Sequence, residues 1–394
     1  MEKKKELGLY IHIPFCERKC YYCDFLSAAA DRGTKAAYVD ALIKEINSYR
    51  YLKEDYRIST IFIGGGTPST LMDGELVRIM EAVKDVFQIE DRFLSDEKTV
   101  NGLPKEDFIE ATIEVNPGTV SREKLLRLKA AGLNRISMGL QSADNKDLKL
   151  LGRIHTYETF LDTYKAAREA GFQNINIDLM SALPWQSLQD WMEVLEKVIS
   201  LRPEHISAYS LIIEEGTPFY EKYSEVSFDD ELDRAMYWST AERLKAAGYG
   251  HYEISNYAFE NRECRHNIAY WIRKNYLGVG LGAASLIENK RFHKEEDLKK
   301  YLQQAGSTDS LSIDTELLDR KQQMEEFMFL GLRLMRGIST KEFQELFGSN
   351  IESVYRIPIE QSVREGLLSE ENGQLFLTAK GIDLSNTVMA RFLL

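Results

Sequence analysis

From Gly8 to Ile13 the side chains alternate, with Leu9, Ile11 and Ile13 on one face and Tyr10 and His12 on the other, the period-two pattern of a half-polar strand. Pro14 ends it, because proline has no N–H to give to a ladder, and the loop that follows holds Cys16, Cys20 and Cys23. A helix is predicted over about 34–52, then an apolar strand over 60–63 that runs into Gly64, Gly65 and Gly66. The rhythm then repeats. Helices are predicted over about 74–87, 121–131, 157–170, 188–199 and 231–247, and strands over 111–115, 135–139, 175–179 and 205–210.

Six strand-then-helix units in series argue for a parallel sheet with helices outside it, since each crossover joins parallel neighbours. Gly132, Gly171 and Gly248 each follow a predicted helix, where a left-handed terminal residue is wanted. Residues 90–107 break the rhythm with acidic side chains and no periodicity, and read as a surface insertion. The strands also have two chemically distinct faces. Ile113, Val115, Ile136, Met138, Ile175, Ile177 and Leu179 form apolar rows, whereas Glu114, Asn116, Ser137, Gln141, Asn176 and Asp178 lie opposite. A closed eight-stranded barrel fills its interior with branched apolar side chains. Six strands with polar interiors instead predict an α/β fold of an open, partial (βα)6 parallel barrel whose mouth holds ligands. A doubly wound open sheet is the competing architecture.

Beyond Lys321 the pattern changes to helices around 322–336 and 340–347, a third over 359–366, and a hairpin over 368–377 turning at Asn372 and Gly373. Pro358 suits the first turn of that third helix, where its missing donor costs nothing. The order predicts a small winged-helix-like domain. The expected division is 1–300 for the barrel with its peripheral elements, the insertion at about 90–107 included, and 320–394 for the winged-helix-like domain. That second fold often binds DNA, yet the segment has no strong basic stripe, so packing or partner docking is the better reading.

Composition adds limits. Among 394 residues, 44% are hydrophobic and 28% charged, the balance of an ordered globular protein. Fifty basic against sixty-two acidic side chains leave a net charge of -12, which disfavours nucleic acid and anionic membrane as partners. The chain has no apolar run of membrane-spanning length and no secretory core at its start, so no integral membrane segment and a cytoplasmic location are expected. Four cysteines, three of them between 16 and 23, suit a metal site in a reducing compartment and not a disulfide framework.

The three read CxxxCxxC. Soft thiolates this close on one loop can hold three corners of a four-iron cube and leave the fourth iron open. Zinc is the competing ion, but it would want a fourth Cys or His nearby, and the loop has none.

The run LYIHIPFCERKCYYCDF resembles the cluster loop of the radical S-adenosylmethionine (SAM) superfamily, and within it that of the oxygen-independent coproporphyrinogen III oxidases and their relatives, the HemW heme chaperones. The resemblance implies a [4Fe-4S] cluster on Cys16, Cys20 and Cys23 whose open iron chelates SAM. It also implies an electron donor, because one electron from the cluster cleaves the sulfonium. Gly64 to Pro68, GGGTP, looks like the family's GGTP element, and places Gly65, Gly66 and Thr67 beside SAM; glycines let backbone approach a ligand closely. Glu114 in IEVNP, Gln141 in GLQS, Arg153 in LGRIH and Asp178 in INIDLM resemble the polar residues that grip SAM, and Tyr10 and Tyr22 match positions lining it.

Three features favour the chaperones over the oxidases. Phe25 stands where the oxidases have a further cysteine, the chain begins only 15 residues before Cys16, and CRHNIAYW resembles the HNxxYW motif associated with heme handling. On a helix His266 would share a face with Tyr270, and Asn267 with Trp271. The resemblance therefore implies heme held by His266, Asn267, Tyr270 and Trp271 and passed to heme-requiring respiratory enzymes, with SAM cleavage left open and coproporphyrinogen oxidase activity disfavoured. Cys264 reads as a buried thiol, and Gly278 to Gly282 as backbone packing near the barrel rim.

Overall fold

The computed structural model describes residues 4–89, 108–225, 229–307 and 311–394. Strand β1 (Lys5–Ile13) pairs in parallel with β2 (Tyr56–Gly65), and each later strand joins the one before it: β3 (Glu110–Val115), β4 (Arg135–Gln141), β5 (Ile175–Ser181) and β6 (His205–Ser210). Spatial order thus follows chain order, with no reversal. A doubly wound sheet reverses at a switch point, so that alternative is excluded.

The crossovers are helices that begin at side-chain caps. Asp31 caps α1 (Arg32–Ser48), and Ser121, Thr156, Ser187 and Asp229 cap helices Arg122–Ala130, Tyr157–Glu169, Leu188–Ser200 and Asp230–Ala246, each accepting a backbone N–H of the first turn. Such caps contribute about 1 kcal/mol each. Gly132, Gly171 and Gly248 take φ of 109°, 88° and 93° just beyond three of these helices, as their positions require. Ile113, Ile136 and Ile177 are fully buried between sheet and helices, each side chain contributing roughly 1.5–3 kcal/mol by leaving water.

The barrel does not close on itself. Strand β6 continues into an antiparallel pair, β8 (Asn256–Ala258) and β7 (Gly250–Glu253), while β1 pairs on its free side with β9 (Tyr276–Val279). Strands β10 (Ala284–Ile287), β11 (Lys290–Lys294) and β12 (Ser312–Leu317) extend that edge into a twelve-stranded sheet. These peripheral strands run to six residues at most, too short for a period to show in the sequence. The acidic segment 90–107 lies outside the described residues.

A second apolar core, from Met324 to Phe392, packs helices Arg320–Gly331, Thr340–Phe347 and Ile351–Arg364 against the hairpin Leu368–Glu371 and Gln374–Leu377. Asn372 and Gly373 turn that hairpin with φ of 52° and 75°, the left-handed pair that tight hairpins favour. Two expectations need correction here. The first helix stops at Gly331, and the third begins at Ile351 with Pro358 inside it. Proline removes a donor and crowds the carbonyl four residues back, and the helix yields at Tyr355, whose φ of -116° and ψ of 21° are not helical. Among the described residues no helix is long and apolar enough to cross a membrane.

Candidate functional site

The cysteine loop leaves β1 at Pro14 and is closed at its base by Ala28, whose N–H donates to Pro14 O at 3.0 Å and whose carbonyl accepts from Cys16 N at 3.1 Å. Its tip is tied to the far side of the barrel. Tyr21 N donates to Leu151 O and Tyr21 O accepts from Phe219 N, while the Arg18 guanidinium donates to Gly152 O at 2.7 Å. A loop so anchored presents its thiols without a helix or strand beneath them.

All three thiols face one cavity of about 490 Å³. Its walls are the polar faces of β2 to β6: Phe62 and Gly65, Glu114, Ser137, Asp178, and Tyr209. Strands that are four neighbours apart can share one cavity only if the sheet curls, which is how the open barrel makes its mouth.

Of the residues singled out beside SAM, Tyr22, Gly65, Gly66, Thr67, Glu114, Gln141, Arg153 and Asp178 are brought together on this cavity. Gly65 has φ of 112°, and a Cβ there would meet the His12 ring at 2.5 Å; one on Gly66 would meet Phe15 O at 2.8 Å. Thr67 donates to Cys16 Sγ at 3.5 Å and accepts from Asn116 Nδ2 at 2.7 Å. Glu114 accepts the Gly65 N–H at 3.0 Å, and burial followed by the Asp178 charge pushes its carboxyl up to about 8. Burial likewise raises Asp178, against hydrogen bonds from Ser207, Asn176 and Ser137. Gln141 sits at a register shift between β4 and β5 with φ of 74°, and its side chain accepts from Tyr209 OH at 2.7 Å. A non-glycine residue held there stores strain that its neighbours must support.

Tyr10 is not brought to the cavity. It pairs in register with Phe62, stacks on that ring at 6.3 Å and donates its hydroxyl to His12, so Phe62 takes the lining position.

The HNxxYW segment forms helix Arg265–Trp271, and Asn267 alone of its four singled-out residues lines the cavity. His266 is 1% exposed, with Nδ1 bonded to Thr60 Oγ1 at 2.8 Å and Nε2 to Tyr270 OH at 2.9 Å. Both ring nitrogens are engaged, so in this arrangement the imidazole presents no lone pair to an iron. Trp271 lies under the Arg333 guanidinium, 4.4 Å from its ring. Cys264 is fully buried beside Glu110.

Sequence reasoning passed over Arg135, His205, Ser207 and Tyr209, which also line the cavity. Their signal was present, since 135, 137, 139 and 141 share one parity in β4, and 205, 207 and 209 share another in β6. Among the described residues no three His, Cys, Asp or Glu side chains gather into the shell of a single metal ion.

The fold is that of the radical SAM superfamily, whose family model matches residues 10–198, and the HemN C-terminal domain model matches residues 318–384. A protein of Lactococcus lactis called heme chaperone HemW is 34% identical over 99% of this chain and 98% of its own length, and the HemW of Escherichia coli is 34% identical over 96% and 98%. The chain belongs to the HemW family. The solved structure of coproporphyrinogen III oxidase (HemN) from Escherichia coli superposes with a TM-score of 0.83 over 99% of this chain and 90% of that one, at 23% identity, a likeness of fold.

Proposed function

We propose that this protein is a heme chaperone built on a radical SAM barrel: it holds a [4Fe-4S] cluster on Cys16, Cys20 and Cys23 and SAM beside it, and delivers heme to heme-requiring respiratory enzymes. The observation that carries the cofactor reading is one loop placing three thiols on the cavity that also holds Glu114, Asp178 and the Gly65–Gly66 backbone. The residues fit the cluster. Three soft thiolates from one short loop on a shared cavity suit separate corners of a cube, where each iron takes one thiolate. They also fit a cationic ligand, because two buried carboxyls with raised affinity for protons would be relieved by a positive charge. When bound, the cluster supplies single electrons and one iron without a protein ligand.

The chain's own residues do the positioning. Thr67 and Arg153 donate to Cys16 and Cys20, and the two glycines leave room for close backbone approach. Heme delivery is supported by family membership, with the acceptor enzymes, the electron donor and a cytoplasmic location belonging to the same reading. So does the division into a barrel over 1–300 and a winged-helix-like domain over 320–394, which two separate apolar cores support.

Anaerobic reconstitution tests the proposal. Wild type is expected to take up iron and sulfide, Cys16→Ala, Cys20→Ala and Cys23→Ala to lose them, and Cys264→Ala to keep them. The wild type is also expected to bind heme in a Soret titration and to form no protoporphyrinogen IX from coproporphyrinogen III with SAM and a reductant. Sustained turnover to that product, or zinc in place of iron, would sink the reading.

A further inference from the structure

The cavity is lined by two guanidinium groups, Arg153 half-buried and Arg135 buried, that are treated in opposite ways. Arg153 is well partnered: it donates to Asn116 Oδ1, to Gly139 O and to Cys20 Sγ. Arg135 is 2% exposed and lines the same cavity, yet it makes no hydrogen bond or ion pair with any described residue, and its Nε is buried without an acceptor.

Two carboxylates lie near enough for Arg135 to feel their charge, but the hydrogen bonds they accept come from other groups. Glu110 Oε1 accepts from His266 N at 3.2 Å and from the Cys264 thiol at 3.8 Å. Asp178 accepts from Asn176 Nδ2 at 2.7 Å and from Ser137 Oγ at 3.2 Å. His205, beside them, has both nitrogens committed, to Asn176 Oδ1 at 2.6 Å and Tyr252 OH at 2.8 Å. Burial followed by the Arg135 charge holds its imidazole well below the ordinary histidine range, so it adds no second cation.

Taking a guanidinium out of water without a partner is unfavourable, and a planar fork of N–H donors is matched best by a carboxylate. Position narrows the ligand further. Arg135 opens β4 and Gln141 closes it. Through β3 and β2, Arg135 stands in register with Tyr10 of β1, three residues before that strand ends and the cysteine loop begins, so at about 3.3 Å per residue it lies roughly 10 Å below the mouth that holds the thiols. A ligand whose body lies beside the thiols can therefore extend a carboxylate to Arg135.

We propose that Arg135 forms the floor of a second subsite, which receives a carboxylate of the molecule carried in the barrel. The inference rests on the heme-chaperone reading, under which that carboxylate is a heme propionate. Ser137, Asn176 and Ser207 provide the neutral polar wall, and Asn267 reaches the same space from the helix that follows Cys264.

Heme and heme dimethyl ester, whose propionates are blocked, are titrated in the Soret region against the full-length wild type, Arg135→Lys and Arg135→Gln. Circular dichroism checks folding, and SAM is measured by equilibrium dialysis on the same proteins. The ester is expected to bind wild type at least tenfold more weakly than heme. Arg135→Gln is expected to lose a similar factor for heme and no longer to distinguish heme from ester, Arg135→Lys to fall between, and SAM affinity to stay unchanged. Equal binding of heme and ester to wild type overturns the heme assignment without any variant, so a misfolded Arg135→Gln does not protect it. Weaker SAM binding in the variant, with heme unaffected, assigns the subsite to the carboxylate of SAM instead. If wild type binds no heme, the chaperone reading itself fails, and the SAM arm alone then decides whether the subsite exists.

Discussion

Arg153 and Cys20 meet at the edge of the cavity, with guanidinium Nη1 3.3 Å from Sγ, while Nη2 holds Asn116 Oδ1 at 2.7 Å and Gly139 O at 2.6 Å. One side chain thus ties the cysteine loop to the ends of β3 and β4. Arg153→Met would leave the Asn116 and Gly139 acceptors without their donor, and the expected loss of stability is roughly 2–4 kcal/mol, since hydrogen bonds to charged groups are the stronger kind. Denaturant unfolding of the metal-free protein reads it directly. A change well under 1 kcal/mol would show that the loop stands without this tie.

Glu114 couples ligand binding to protons. Its carboxyl is raised to about 8 in the ligand-free protein, so above its ordinary value of 4.5 ionisation is a cost to the fold, and at pH 7 most molecules keep the proton. A cation in the cavity reverses that preference. SAM, a sulfonium, is expected to bind at pH 7 with release of about one proton, falling toward zero above pH 9. Calorimetry in two buffers of different ionisation enthalpy measures the release, and Glu114→Gln should abolish it.

His266 makes the fold acid-sensitive. Burial, with the Arg135 charge second, lowers it from 6.5 to about 3, so the folded state holds it neutral while the unfolded chain takes up a proton below 6.5. The contribution is complete above that pH and declines by about 1.4 kcal/mol per unit as pH falls toward 3. Between pH 7.5 and pH 5.0, wild type is therefore expected to lose about 2 kcal/mol more than His266→Gln. Parallel pH profiles for the two proteins would contradict the buried, neutral assignment.

Glu45 and Lys294 form a buried clasp between α1 and β11, 3.5 Å apart and both fully buried. Glu45 also accepts from Tyr301 OH at 2.6 Å and Gly280 N at 2.9 Å, and Lys294 donates to the hydroxyls of Tyr49 and Ser312. Burial pushes the carboxyl up and the ammonium down, so each charge depends on the other. Glu45→Leu or Lys294→Met alone is expected to cost about 3–5 kcal/mol, and the double variant less than the two singles combined. Additive losses in a double-mutant cycle would show that the pair is not coupled.

Much of this architecture was legible because strand and helix periods are local. The alternation Leu9, Ile11, Ile13, the cap residues before the helices and the glycines after them each report on a few neighbouring residues. The same local logic marked Glu114, Gln141 and Asp178 as facing one side of a sheet, and extending the parity of Ser137 by two residues would have reached Arg135. Short strands such as Asn256–Ala258 left no period to read, and Pro358 misled because a helix start and a kinked helix interior look alike in sequence.

By itself the sequence determined which segments become strands, which faces of them are polar, and that three thiols sit on one short loop beside a glycine turn, since these follow from spacing along the chain. Only the tertiary structure decided what each polar group has to answer to. His266 finds Thr60 across a separation of 206 residues and is closed off, Arg153 finds three acceptors, and Arg135 finds none among the described residues. Burial and hydrogen-bond partners belong to segments that meet only when the sheet curls, so a residue's chemistry was written locally and its freedom to act was settled at a distance.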